Sequence, residues 1–140
     1  MKLLKQKCDL VTEEELPSIL SDLEDSFEDL KKRGYGLAAP QIGIMKQVAI
    51  IRAGGINIDL VNPVIVEKAK RIIFQKEGCL SFPGLFIDTD RYTEVVVETG
   101  IGENRKQYYS YGIEAVIIQH EIDHLRGILF LKRKHRSNRK

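Results

Sequence analysis

Residues 113–126 constrain this chain more than any other segment. Ala115, Val116, Ile117, Ile118, Ile122 and Leu125 put apolar side chains on nearly every side of a helical turn. A helix with no face to offer solvent must be enclosed by the rest of the chain. Gly112 precedes it and marks its start. The same helix carries His120-Glu121-Ile122-Asp123-His124. Residues four apart stand one turn apart on one face. Two imidazoles so placed can grip one metal ion, with Glu121 beside them as a general base. A buried helix suits such a site, because packing locks the rotamers of its ligands. The segment points to a metal-dependent hydrolase.

Two histidines do not complete a catalytic site, which ordinarily has three protein ligands and a water. One protease pattern continues His-x-x-Gly-x-x-His. This chain follows it through Gly127 and then places Phe130 where the third histidine belongs. No Asp or Glu follows Leu125, and His135 sits in a basic stretch with no packing signal. The third ligand is therefore sought upstream, where the chain has no further histidine and two cysteines. Cys8 lies in a polar stretch. Cys79 lies in Glu77-Gly78-Cys79-Leu80-Ser81, directly after an apolar run, and ranks above Cys8. The milder reading of either cysteine is a small buried hydrophobe. A metal-bound thiolate is fully deprotonated and adds negative charge to its site. Cys79, His120 and His124 leave one position free for water.

The rest of the chain predicts an α+β fold, with small antiparallel sheets around the buried helix. At 140 residues the chain is expected to be a single domain, residues 1–140. Leu16, Ile19, Leu20, Leu23, Phe27 and Leu30 predict a first helix from Leu16 to Arg33. Pro17 suits its first turn and Gly34 its end. Its acidic face reads as solvated. Strands are expected at Val48–Ile51, Leu60–Val66 with a bend at Pro63, Lys70–Phe74, Glu94–Glu98 and Tyr108–Tyr111. Gly100–Asn104 reads as a hairpin loop, and the second helix as Ile113–Arg126. No apolar run has transmembrane length. Residues 1–11 do not read as a signal peptide, because Lys5, Gln6, Lys7 and Asp9 break the apolar stretch. Two cysteines, one needed as a thiolate, point to a reducing compartment. The net charge of +2 gives no case for general or specific DNA binding.

Three segments share an order and spacing that resemble the signature motifs of peptide deformylases. They are Gly34-Tyr35-Gly36-Leu37-Ala38-Ala39-Pro40-Gln41-Ile42-Gly43, the Glu77–Ser81 segment, and Gln119-His120-Glu121-Ile122-Asp123-His124-Leu125. The resemblance spans about residues 34–131. It implies removal of the N-formyl group from the initiator methionine of nascent chains. It also implies metal ligation by Cys79, His120 and His124, with Fe(II) as the usual ion and Zn, Ni or Co able to occupy the site. Glu121 matches the catalytic glutamate. Gln41 matches the glutamine whose amide, with the backbone N–H of Leu80, stabilises the oxyanion. By the same resemblance Asp123 is expected to pair with Arg91. The pocket for a methionine side chain should be apolar. By position relative to the motifs, Tyr35, Gly36, Phe86, Ile117 and Leu125 are expected to bind substrate. Phe86 departs from the arginine that many family members carry at that offset.

Set beside the family it resembles, the chain is expected to be a short form, with a shorter N-terminal stretch than is common and little sequence after the metal helix. Its last ten residues hold six Lys or Arg and no acid. Residues 132–140 are expected to be either a disordered solubilising tail or a contact for ribosomal RNA by phosphate neutralisation. Nascent formyl-methionyl peptides are the expected partners. The expected location is the cytoplasm of a bacterium, or of a host if the chain is phage-encoded, with an organelle form as the alternative. Two rival readings share the helix. One is a metalloendopeptidase. The other is a non-catalytic metal protein that binds formyl-methionyl ends.

Overall fold

The computed structural model describes residues 3–29 and 34–136. Two three-stranded antiparallel sheets flank one central helix. In chain order the elements are α1 (Leu16–Glu28), β1 (Gly36–Ala38), β2 (Val48–Ala53), β3 (Ile56–Val61), β4 (Val64–Glu77), β5 (Ile87–Thr99), β6 (Lys106–Tyr111) and α2 (Gly112–Leu125). The sheets have orders β1-β2-β3 and β4-β5-β6. Short 3-10 turns lie at Leu3–Lys5, Ala39–Ile42, Gly102–Asn104 and Phe130–Arg133.

The alternation of β2 explains the layering. Ala49 and Ile51 face one side and pack with Ala115, Ile118, Ile122 and Leu125 of α2. Val48 and Ile50 face the other and pack with Ile19, Leu23 and Phe27 of α1. Period-two alternation puts the two sets on opposite faces of the strand. Both faces are buried, so β2 reads as a continuous apolar run. Val95 and Val97 bring β5, and so the second sheet, onto α2. Thus α2 is covered by both sheets, as its all-round apolar sequence requires.

The elements agree with the expected ones in kind and differ at their ends. The first helix stops at Glu28 rather than Arg33, and residues 30–33 lie outside the described ones. Phe27 is its last buried residue, and Glu28 and Asp29 set acids against the negative end of the helix. At its start Thr12 and Glu15 exchange bonds, Thr12 N to Glu15 Oε1 at 3.1 Å and Glu15 N to Thr12 Oγ1 at 3.3 Å. That is the reciprocal pattern of a capping box.

The expected strand through Pro63 is two strands in two sheets. Asn62 stands at the corner with φ 48°, a conformation that Asn tolerates. Its side-chain oxygen accepts from Val11 N at 2.9 Å, and its amide donates to Val11 O at 3.0 Å. Lys70–Phe74 is the middle of β4, which runs 14 residues with two register shifts. Gly54 and Gly55, both at positive φ, make the two-residue turn between β2 and β3. The Gly100–Asn104 loop does join β5 to β6.

The basic segment departs from a free tail through its first half. His135 N donates to Asp88 O at 2.8 Å, and Lys134 bridges Thr89 of β5. Arg133 bonds Asp123. Once α2 ends, these cations meet acids that α2 and β5 present, which a sequence pattern does not reveal. Residues 137–140 lie outside the described ones. Among the described residues no helix is long and apolar enough to cross a membrane.

Leu23 is fully buried between α1 and the first sheet. Leu23→Ala is expected to lower unfolding stability by about 3 kcal/mol, whereas Asp22→Ala on the exposed face should stay within about 0.5 kcal/mol. Urea denaturation of the two variants checks the contrast.

Candidate metal centre

Three donors converge at the start of the loop that follows β4. The ligand atoms of Cys79, His120 and His124 all lie within 4.8 Å of one another. Cys79 Sγ is 3.2 Å from His124 Nε2. Helical geometry supplies the two imidazoles, whose ring centroids are 5.0 Å apart, and the Cys79 loop comes down on them from β4. Cys8 is buried elsewhere, and its N–H donates to Leu125 O at 3.0 Å.

The donor set fits a single ion. Bonds of about 2.0–2.3 Å to sulfur and imidazole nitrogen span donors at this spacing. His120 turns its Nδ1 to Glu77 Oε2 at 2.5 Å, which leaves its other ring nitrogen for the ion. Such a carboxylate partner fixes the tautomer and orientation of a metal-binding imidazole. Among the described residues, His124 Nδ1 and Glu121 Oε1 are buried with no hydrogen-bond partner.

Glu77, for which the motif spacing predicts no role, is the hub of the charges around His120. Arg91 Nε donates to its Oε1 at 2.8 Å and Arg91 Nη2 to its Oε2 at 2.6 Å. Thr89 Oγ1 adds a bond to Oε1 at 2.6 Å. Arg91 Nη1 also reaches Asp123 Oδ2 at 2.7 Å, the pairing expected from the resemblance. Arg91 is 2% exposed, Glu77 4% and Asp123 6%, and buried charges persist only when paired. The sequence does hold a signal for Glu77. A metal-ligating His ordinarily has an acceptor on its other nitrogen, and Glu77 is the acid beside the Cys79 loop.

Burial and pairing set the protonation states of the metal-free site. Burial alone would raise the Glu77 carboxyl, but the His120 hydrogen bond and the Arg91 ion pair outweigh it and hold its pKa at about 2. Burial would lower His120, yet its bonds to Cys79 and Glu77 raise it to about 10. Burial, then the neighbouring His120 charge, depress His124 to about 3. Burial pushes Glu121 up to about 7. Glu121 thus sits near neutrality, where a general base or acid is most effective.

The oxyanion candidates face the same place. Gln41 lies in the 3-10 turn after β1. Its Oε1 accepts from Ala38 N at 2.9 Å, so its amide NH2 points at Ser81 Oγ, 3.0 Å away, and Cys79 Sγ, 3.7 Å away. A cleft of about 1010 Å³ contains Gln41, Cys79, Leu80, His120 and Glu121 in its lining. Tyr35, Gly36, Phe86 and Ile117 also line it. Gly36 approaches Glu121 so closely that a Cβ there would lie 3.1 Å from Oε2 and 2.6 Å from Ile50 O. Leu125 does not line the cleft: it is 1% exposed and packs in the core with Ala38, Ile51 and Ile122. Sequence reasoning missed Phe74, Leu85, Ile113 and Val116 in the lining.

Phe130 fills the place of the absent third histidine in a different way. Its ring centroid is 5.9 Å from that of His120 and 5.8 Å from that of Phe82. It packs against the ligand instead of supplying one.

Glu77→Gln keeps the volume and removes the charge that orients His120. It is expected to weaken metal binding roughly 10- to 100-fold, measured by competition with a chelator. Unchanged affinity would remove Glu77 from that role.

Comparison with known proteins finds relatives of this chain in both sequence and fold. A family model described as polypeptide deformylase matches residues 1–140. The chain is 39% identical over 123 residues to the chloroplastic peptide deformylase 1B of Oryza sativa, covering 81% of this chain and 45% of that protein. The chain thus spans less than half the length of the rice relative. It is 41% identical over 124 residues to peptide deformylase 1 of Bacillus subtilis, covering 86% of this chain and 75% of that protein. Its fold matches the crystal structure of a Synechococcus elongatus peptide deformylase in complex with actinonin. The TM-score there is 0.86 at 33% identity, covering 98% of this chain and 76% of the other.

Proposed function

The chain belongs to the polypeptide deformylase family and is an enzyme of that family, and from that premise we propose that it hydrolyses the N-formyl group of formyl-methionyl nascent peptides, releasing formate. The observation that carries the reading is the convergence of a Cys-His-His donor set, a buried carboxylate and a fixed amide donor on one apolar cleft.

Cys79, His120 and His124 would hold a divalent ion, which when bound would supply a water of lowered pKa and a Lewis acid for the formyl oxygen. The resemblance makes Fe(II) the expected ion, with Zn, Ni or Co able to replace it. A thiolate with two imidazoles suits these metals. Glu121 accepts the proton of the attacking water and delivers one to the leaving amine. Its burial and its partnerless Oε1 beside the candidate ligands support that part. The Gln41 amide, held by Ala38, donates to the oxyanion together with the Leu80 N–H. Fixed donors need no rearrangement when charge develops. Tyr35, Gly36, Phe86 and Ile117 shape the space for the methionyl end of the peptide. The exposed Lys134 and Arg136 support a contact with nucleic-acid phosphates.

Anaerobically purified protein, with its metal content determined, is to be incubated with formyl-Met-Ala-Ser. Formate release is expected, with no cleavage of internal bonds in the unformylated peptide. Glu121→Ala should keep its metal and lose turnover. Gln41→Ala should lose roughly 100- to 1,000-fold in kcat. Metal-loaded parent protein that releases no formate would overturn the proposal, and cleavage of internal bonds would favour an endopeptidase.

A further inference from the structure

The segment after α2 takes no part in the proposed chemistry, yet it ends on the charges behind the metal centre. Arg133 donates Nε to Asp123 Oδ2 at 2.9 Å and Nη2 to Asp123 Oδ1 at 2.8 Å. This is a bidentate fork on one carboxylate, a geometry that fixes direction as well as charge. Oδ2 of the same carboxylate accepts from Arg91, Arg91 grips both oxygens of Glu77, and Glu77 accepts from His120 Nδ1. An unbroken chain of charged hydrogen bonds therefore joins a surface arginine to a metal-binding imidazole. The segment is also fastened on the other side of Glu77. Lys134 bridges Thr89, whose hydroxyl donates to Glu77 Oε1 at 2.6 Å, and His135 Nδ1 meets Asp90 Oδ1 at 2.8 Å.

We propose that Arg133 is a positioning residue for the metal centre, acting through Asp123, Arg91 and Glu77 on His120, with residues 130–135 as the strap that holds it in place. The inference rests on the reading of Cys79, His120 and His124 as metal ligands. The physical reason is shared demand for one guanidinium. Arg91 serves two carboxylates, Glu77 and Asp123. With Arg133 present, two carboxylates face two guanidiniums and Asp123 has its own partner. Without Arg133, Asp123 competes with Glu77 for Arg91 in a buried setting where charge interactions are weakly screened. Any shift of Arg91 toward Asp123 loosens Glu77, and with it the bond that orients His120. Arg133 is itself partly exposed, with its side chain at 42%, so it can be replaced without opening a cavity in the core.

The test compares the full-length parent with Arg133→Gln, Arg133→Lys and Lys132→Gln. Lys132 is exposed on the same turn and serves as the control. Each protein is loaded with Co(II). The rate of metal loss to excess chelator and the visible absorption spectrum are recorded, together with the melting temperature of the metal-free form. Arg133→Gln is expected to lose metal roughly tenfold faster, with a shifted spectrum. Arg133→Lys should recover most of the retention and of the parent spectrum, and Lys132→Gln should match the parent. The proposal is overturned if Arg133→Gln keeps the parent rate and spectrum. It is equally overturned if both Arg133 variants change alike and only in step with a fall in melting temperature. A parent that takes up no Co(II) would sink the metal-site reading itself, a failure separate from that of Arg133.

Discussion

A carboxylate as buried as Glu77 stays ionised only because cations and donors close around it. That constraint organises the protein. Glu77 ends β4, Arg91 and Thr89 lie on β5, His120 and Asp123 on α2, and Arg133 on the turn after α2. Each element delivers at least one partner, so the buried charges are satisfied only when the second sheet and the helix are docked in one register. Removing one member of such a group typically costs about 3–5 kcal/mol, because a charge is left buried without its partner. The apolar core does not impose this register by itself, since hydrophobic contacts are non-directional. The ion network supplies the direction.

The same docking makes the cleft. The first sheet brings Tyr35, Gly36 and the Gln41 turn to one side of α2, and β4 with its following loop brings Cys79 and Phe86 to the other. His120, His124 and Glu121 project from the helix between them. Gly36 leaves room for the Glu121 carboxylate, and the Ala38 N–H fixes which end of the Gln41 amide faces the cleft. The site is thus built where two sheets meet one buried helix.

Particular residues show why some of this was legible from the sequence. The spacing of His120 and His124 is a property of one helix, and burial of that helix follows from its composition, so both could be read without tertiary information. The failure of the downstream pattern at Phe130 was equally local, and it directed attention to Cys79. The Gly54-Gly55 turn is likewise a local signal, two glycines between apolar strands. The strand boundary at Asn62 was not legible, because what turns the chain there is a pair of hydrogen bonds to Val11, fifty-one residues away. Leu125 fell in the core because side-chain direction depends on which neighbour covers the helix at that point.

The sequence by itself determined a buried helix with two imidazoles and a glutamate on it, a candidate cysteine to join them, and an α+β frame. These are consequences of periodicity, composition and spacing along the chain. Only the tertiary structure decided that Glu77 orients His120, that Arg91 is shared between Glu77 and Asp123, and that Arg133 returns from the basic segment to Asp123. Those choices are made between residues distant in sequence. A buried charge takes as its partner whatever the folded chain brings within hydrogen-bonding reach, and no local pattern records that distance.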